Sequence, residues 1–146
     1  MIKIENSVVI NKPVEEVFEY VANSENNPQW QSSAQEVVKT SDGPIGVGTT
    51  YSSVSQLLGK RLESVVEYTA YEPNKTVAGK VISGPIPFQF ETTFEPAAEG
   101  GTKVTSRGKG DAGGFFKLAE PLVARMLKRQ TETNSANLKD LLESQG

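Results

Sequence analysis

Hydrophobic and polar residues alternate along residues 2–10, a stretch rich in β-branched types such as Ile2, Ile4 and Val8. This pattern predicts a first strand. Six similar segments follow, separated by turn sequences such as Asp42-Gly43-Pro44 and Glu99-Gly100-Gly101. We predict these strands over residues 35–41, 48–57, 61–71, 76–83, 87–95 and 102–110. Strands at this spacing, joined by short turns, are typical of an antiparallel meander.

Two short helices are predicted between the first and second strands. Apolar residues recur there at helical spacing, at Val14, Val17, Phe18 and Val21. Pro13 suits a first helical position because its missing N–H needs no partner there. Ser24 is expected to cap a second helical turn. That turn should end near Asn27, because Pro28 disfavours helix in the residue before it.

The pattern becomes helical after Gly113 and Gly114 and remains so to the end of the chain. The residues that follow this period are Phe116, Ala119, Val123, Met126, Gln130, Asn134, Leu138 and Leu141. A helix of this length spans roughly 40 Å and needs a wide sheet to pack against. Helices segregated beside an antiparallel sheet define an α+β fold, and we expect residues 1–146 to form one domain.

The composition narrows the possible functions. The 146 residues carry a net charge of −3, so the chain lacks the basic field that would favour nucleic acid or an anionic membrane surface. Cysteine and histidine are both absent. Their absence excludes disulfides, thiolate or imidazole metal ligands and a Ser-His-Asp triad. We therefore expect no metal and no cofactor.

We expect no targeting segment. Its N-terminus lacks the basic region, apolar stretch and small-residue cleavage site of a signal peptide. No apolar run approaches the roughly 20 residues that span a bilayer. We expect a cytoplasmic protein, a monomer or weak homodimer, with no membrane span.

Four motifs, in this order, resemble those of one superfamily. They are Asn11-Lys12-Pro13-Val14-Glu15-Glu16-Val17-Phe18, Pro28-Gln29-Trp30, Gly46-Val47-Gly48-Thr49-Thr50-Tyr51 and Asn137-Leu138-Lys139-Asp140-Leu141-Leu142-Glu143. The chain resembles the SRPBCC superfamily of polyketide cyclases/dehydrases, START domains and birch-pollen allergens. The resemblance implies a helix-grip fold, in which a seven-stranded sheet wraps around the last helix and leaves a cavity. Members bind lipids, hormones, polyketides or aromatic compounds, and some are cyclases or dehydratases.

Such a cavity would be lined mostly by apolar side chains. The candidates are Phe18, Trp30, Tyr51, Phe88, Phe90, Phe94, Phe116, Val123 and Met126. Phe88, Phe90 and Phe94 should share one face of their strand. Each of these residues could instead belong to the packed core, and Trp30 could simply plug the mouth of the sheet.

Polar residues interrupt the apolar stripe of the long helix at Gln130 and Asn134. A buried amide without a partner costs roughly 1–3 kcal/mol, so each should have one. The partner could be strand backbone, trapped water or a bound ligand. Both residues are therefore candidate ligand anchors.

Candidate catalytic residues are few. Tyr51, Tyr68, Glu67 and Arg107 could act as acid, base or anion-binding groups. Glu67 could also lie on a solvated strand face, and Arg107 could be a surface residue beside Glu91 or Glu95.

Three functions remain open on this sequence. The first is binding or carriage of a hydrophobic small molecule, such as a lipid, polyketide or aromatic compound. The second is a cyclase or dehydratase that works without a metal. The third is a regulatory or stress-related module that recognises another protein.

Overall fold

A computed structural model describes residues 2–57, 59–110 and 120–144. Its main elements are β1 (Ile2–Ile10), α1 (Val14–Ala22), a 3₁₀ helix (Ser24–Gln29), β2 (Ala34–Lys39), β3 (Thr50–Leu57), β4 (Lys60–Glu72), β5 (Thr76–Ser83), β6 (Phe88–Pro96), a second short 3₁₀ helix (Ala98–Gly100), β7 (Thr102–Gly110) and α2 (Glu120–Ser144). The strands form one antiparallel sheet in the order β1-β7-β6-β5-β4-β3-β2. The sheet curls around α2, so the helix-grip fold that the sequence predicted is confirmed.

The strand register fixes which side chains face the helix. Asn6 of β1 contacts α2 and lies opposite Ser106 of β7, which in turn lies opposite Thr92 of β6. Successive side chains of a strand point to opposite faces. The concave face is therefore formed by these three residues and by those an even number of positions away along the same strands. Phe90 and Phe94 lie on it, two residues to either side of Thr92.

The buried apolar side chains form two separate clusters. The large cluster lies beneath α1 and includes Val17, Phe18, Tyr68, Phe94 and Leu138. Phe18 meets Phe94 edge to face, with ring centroids 5.0 Å apart. The small cluster joins the first turn of α2 to the start of β1, with Ile2 and Val123 at its centre. The middle of the sheet lies between them.

Polar contacts fasten α2 to β1, one edge of the sheet. The side-chain amide of Asn6 donates to Ser135 Oγ at 2.6 Å and to the Thr131 carbonyl at 3.4 Å. Nearer the end of the helix, the Lys139 ammonium donates to the Val9 carbonyl at 2.7 Å. These contacts hold the helix close to β1.

A second set of contacts ties α2 to the segment that precedes β2, the other edge of the sheet. The Asn134 Oδ1 accepts from the Ser32 N–H at 3.0 Å. The Asn137 amide donates to the Trp30 carbonyl at 3.3 Å. The helix is therefore held at both edges of the sheet, and within the described residues its backbone approaches β1 more closely than any other strand.

The first 3₁₀ helix differs from its prediction at both ends. Its cap is Asn23, whose Oδ1 accepts from the Glu25 N–H at 3.1 Å, and not Ser24. The helix also continues past Asn27 to Gln29. It consists of two successive turns, and Pro28 occupies the first position of the second turn, where no N–H is needed.

The strand boundaries agree closely with the sequence pattern. Strands β5 and β7 have the predicted bounds, and β4 is one residue longer at each end. In the ranges that the structure describes, no helix is long and apolar enough to cross a membrane.

Glu143 should make the attachment of α2 sensitive to acid. Its carboxylate accepts from Lys139 Nζ at 2.7 Å and from the Asn11 N–H at 2.8 Å, and these bonds lower the pKa of Glu143 below its usual 4.5. Because the folded-state pKa is the lower one, the contribution to stability is present above the unfolded pKa. It is lost as the pH falls through the folded pKa.

We therefore expect Glu143→Gln to lower the melting temperature at neutral pH, and the difference from the original protein to narrow as the pH falls from about 6 to about 3. Thermal denaturation at a series of pH values measures this. The control is Glu132→Gln, at an exposed position of the same helix. A difference that stays constant over the whole range would contradict the assignment.

Candidate functional site

The middle of the concave face carries apolar side chains that the two clusters leave uncovered. Val66 of β4, Val81 of β5 and Phe88 of β6 point to this face, as their register with Tyr51 and Gly110 requires. All three are half-buried, and none belongs to either cluster. These three side chains are therefore accessible in part, unlike those of the two clusters.

Glycines in the neighbouring strands let the phenylalanine rings lie along the sheet. A Cβ added at Gly108 would lie 2.6 Å from Phe88 Cζ, and one added at Gly79 would lie 2.7 Å from Phe90 Cε1. Real Cβ atoms do not approach so closely, so a larger residue would displace these rings. Because the rings cover glycines, they form a flat apolar floor on the concave face.

Hydroxyl groups border this floor. Ser53 of β3 and Ser64 of β4 are partners in register on the concave face, and Ser106 of β7 lies beyond Thr92. The three serines are half-buried. Within the described residues, no side-chain hydrogen bond joins these hydroxyls to another protein group. Their hydrogen-bonding capacity is therefore free for water or a ligand.

Two tyrosines on the same face differ in how their hydroxyl groups are used. Tyr68 and Tyr51 are both buried, with ring centroids 5.1 Å apart. The Tyr68 hydroxyl donates to the Ala22 carbonyl at 2.7 Å. Since a phenol has one proton, Ser24 Oγ must be the donor in its bond with Tyr68. The Tyr68 hydroxyl is therefore fully occupied in joining β4 to the end of α1.

The Tyr51 hydroxyl, by contrast, is buried close to the Tyr68 hydroxyl and the Ser24 backbone, but it makes no hydrogen bond of ordinary distance and angle in the described part of the chain. The indole N–H of Trp30, whose ring packs against the large cluster, likewise makes no hydrogen bond there. Burial raises the pKa of Tyr51 and, more strongly, that of Tyr68. Burial thus disfavours the phenolate form of both residues, and their hydroxyls are suited to hydrogen bonding.

The charged candidates lie on the opposite face. Glu67 precedes the inward-facing Tyr68 and therefore points to the convex side. Arg107 is exposed there, with its guanidinium 3.1 Å from Glu5 and 3.6 Å from Glu91. The structure does not bring these charges to the tyrosines. Among the described residues, no group of acidic side chains could hold a metal ion.

The candidate residues of α2 divide into two groups. Met126 and Gln130 are half-buried, and the Gln130 amide makes no hydrogen bond within the described ranges. Asn134 is engaged with Ser32, and Val123 is buried in the small cluster. Phe116 lies outside the described residues.

Sequence reasoning did not single out the three serines. The sequence of β3 nevertheless contains an indication of Ser53, because Ser53 and Ser55 occupy inward positions that most sheets fill with large apolar residues. A small polar residue at such a position indicates space that the core does not use.

Comparison with known families matches residues 1–143 to the sequence profile described as polyketide cyclase/dehydrase and lipid transport. The match covers nearly the whole chain. A comparison with curated proteins finds no match.

Solved structures share the fold at low sequence identity. A Thermus thermophilus protein is 15% identical with a TM-score of 0.80, over 94% of each chain. The di-domain ARO/CYC BexL from the BE-7585A biosynthetic pathway is 17% identical with a TM-score of 0.76, over 98% of this chain and 47% of BexL. A START superfamily protein from Mycobacterium smegmatis is 13% identical with a TM-score of 0.70, over 99% of this chain and 97% of that one. At these identities the likeness concerns the fold alone.

Proposed function

The chain belongs to the polyketide cyclase/dehydrase and lipid transport family, and we propose that it binds and carries a hydrophobic small molecule on the concave face of its sheet, beneath α2. One observation supports this proposal above the others. Val66, Val81 and Phe88 are half-buried on the inner face and lie outside both core clusters. Covering such apolar surface contributes roughly 25 cal/mol per Å², which favours an apolar occupant.

The attachment of α2 supports the same role. Asn6, Lys139 and Asn134 fasten the helix to the two edges of the sheet, and Leu138 and Val123 pack it into the large and the small cluster. A molecule that lies on the floor between the two clusters would leave these contacts in place. We assign this role to one domain of residues 1–146, with Met126 and Gln130 forming the roof.

Binding without chemistry fits the side chains better than catalysis. An acid–base reaction needs a group whose pKa lies near the working pH. Burial moves the pKa of Tyr51 away from that range, and Glu67 and Arg107 face away from the proposed site. A cyclase role would depend on the neutral Tyr51 hydroxyl as a hydrogen-bond donor to a substrate carbonyl.

Filling the proposed space should weaken binding. We expect Ser53→Leu to weaken the binding of Nile red, a neutral hydrophobic dye, by at least about tenfold, because the larger side chain occupies the volume of the ligand. The control is Ser52→Leu, the same change at the neighbouring position on the convex face, which should leave the affinity unaltered. Titration followed by dye fluorescence measures both.

The stability of the Ser53→Leu variant tests the same idea without a ligand. If the space is open, the leucine fits and the urea midpoint should not fall. If the space were already packed, overfilling would cost about 1–3 kcal/mol. A destabilised variant, or one that binds Nile red as tightly as the original protein, would contradict the proposal.

A further inference from the structure

The charged side chains of the protein are separated between the two ends of its sheet. One end, which we call the basic end, comprises the starts of β1, β4 and β6, the ends of β5 and β7, and residues 120–129 of α2. The helix joins this end because Val123 packs against Ile2 of β1. The exposed cationic residues there are Lys3, Lys60, Arg61, Lys80, Lys109, Arg125, Lys128 and Arg129, and in the described ranges they outnumber the acidic residues Glu63, Glu67 and Glu120.

The opposite end, where α1 lies, is acidic. Its exposed acidic residues are Glu15, Glu16, Glu19, Glu25, Asp42, Glu72, Glu95, Glu99 and Asp140. Two of its lysines are already engaged, since Lys39 donates to backbone carbonyls and Lys139 pairs with Glu143. The net charge of −3 sums two ends of opposite sign and therefore conceals a local basic field.

The cations of the basic end have few partners within the protein. Lys3 lies directly opposite Lys109 in the paired strands, and like charges in this position destabilise a sheet. Neither lysine forms an ion pair in the described part of the chain, and the same holds for Lys80, Arg125 and Arg129. An anionic partner would offset this repulsion.

Exposed apolar side chains lie at the same end. Ile82 is 49% exposed and Leu122 is 57% exposed, and both are among the most exposed large hydrophobic residues that the structure describes. Ile86, in the turn between β5 and β6, packs with Val123 in the small cluster, so this turn lies beside the first turn of α2. Residues 81–90 contain no charged side chain. The basic end therefore combines an uncharged, partly apolar tip with surrounding cations.

This combination suits the interface of an anionic bilayer. Lysine and arginine are attracted to lipid phosphates, and neighbouring apolar side chains enter the boundary of the acyl chains. An acidic protein would satisfy the cations, but it would also need a recess for Ile82 and Leu122.

We infer that the basic end docks on the surface of an anionic phospholipid bilayer. Val81 and Phe88 of the proposed binding floor lie near the same end, close to the end of β5 and at the start of β6. A docked protein would thus turn the proposed site toward the lipid. The docking itself does not depend on the proposed function.

Co-sedimentation with vesicles tests the docking. We expect the protein to bind vesicles of phosphatidylcholine with about one third phosphatidylglycerol at least about tenfold more tightly than vesicles of phosphatidylcholine alone. Binding should weaken as the NaCl concentration rises from about 0.1 M to about 0.5 M, because salt screens the attraction.

The variant Lys109→Glu separates docking from folding. It places an opposite charge beside Lys3, so the melting temperature should not fall. The affinity for the anionic vesicles should nevertheless fall at least about tenfold. The control is Lys75→Glu, which makes the same change in net charge at an exposed position of the acidic end. We expect the control to lower the affinity by less than about threefold.

The variant Leu122→Ser tests the apolar part of the surface. It should lower the affinity for the anionic vesicles by about threefold to tenfold. The control is Val47→Ser, at an exposed apolar residue near Ile45, which packs against the large cluster at the acidic end. This control should leave the affinity unchanged.

The inference would be overturned by a lack of vesicle binding, by equal binding to the two lipid compositions, or by equal losses in a variant and its control. Binding of poly-L-glutamate without binding of vesicles would also overturn it, and would assign the basic end to an acidic protein. Titration with Nile red in the absence of vesicles tests the proposed function separately. Since none of these substitutions lies on the floor, docking can fail while ligand binding stands.

Discussion

Replacing Tyr68 by Phe is expected to lower the free energy of unfolding by about 1–3 kcal/mol. The substitution keeps the ring but removes the hydroxyl that donates to the Ala22 carbonyl and accepts from Ser24. Both groups lie beneath the junction of α1 and the 3₁₀ helix, where Ser24 is itself buried. They would be left without a partner, so the variant bears the cost of desolvating them.

Urea denaturation of Tyr68→Phe measures this loss. The control is Tyr20→Phe, which removes a hydroxyl that bonds Gln29 Oε1 at an exposed position, where water can replace it. We expect the control to change the free energy of unfolding by less than about 1 kcal/mol. Equal effects of the two substitutions would show that the Tyr68 bonds are not buried in the way described.

Tyr51→Phe should have the opposite sign and raise the free energy of unfolding by about 1 kcal/mol. The Tyr51 side chain is 1% exposed, and its hydroxyl has no hydrogen-bond partner within the described residues. Folding therefore removes this group from water without a compensating bond. Phenylalanine keeps the packing against the Tyr68 ring and avoids the penalty.

Comparison of the two variants isolates the effect of the hydrogen bonds, because both substitutions remove the same hydroxyl group and the two rings are in contact. The difference in unfolding free energy between Tyr51→Phe and Tyr68→Phe should amount to about 2–4 kcal/mol. A loss of stability in Tyr51→Phe would mean that its hydroxyl is hydrogen-bonded, for example to a buried water.

The sequence predicted the architecture because the signals for it are local. Turn sequences separate the strands, and β-branched residues fill them, so β5 and β7 were delimited to the residue. The 3₁₀ helix was less well predicted. Ser24 and Asn23 are both good caps, and the choice depends on Tyr68, a residue 44 positions away that engages the Ser24 hydroxyl.

The candidate site was only partly predictable for the same reason. Successive residues of a strand point to opposite faces of the sheet, so the strand pattern of β4 was enough to place Glu67 and Tyr68 on different faces. The partner of Asn134 could not be deduced, since Ser32 lies 102 residues away in the chain. Which tyrosine keeps a free hydroxyl likewise depends on contacts between distant segments.

The arrangement of polar and apolar groups connects the fold to the proposed function. Hydrogen bonds at the two sheet edges position α2, while apolar packing is confined to the two clusters. The middle strands carry glycine and serine at inward positions, where larger residues would complete the core. Small inward residues in these strands are compatible with the proposed binding role, and the hydrogen bonds that attach the helix lie at the edges of the sheet.

Methyl NMR of the protein in complex with Nile red tests the binding claim most directly. The chain has two methionines, so selective labelling of the ε-methyl carbon gives few signals, and the loss of one in Met126→Leu assigns Met126. We predict intermolecular NOEs from the ligand to the Met126 methyl and to the ring protons of Phe90. Saturable binding that gives NOEs only to convex-face residues such as Val38 would contradict the account.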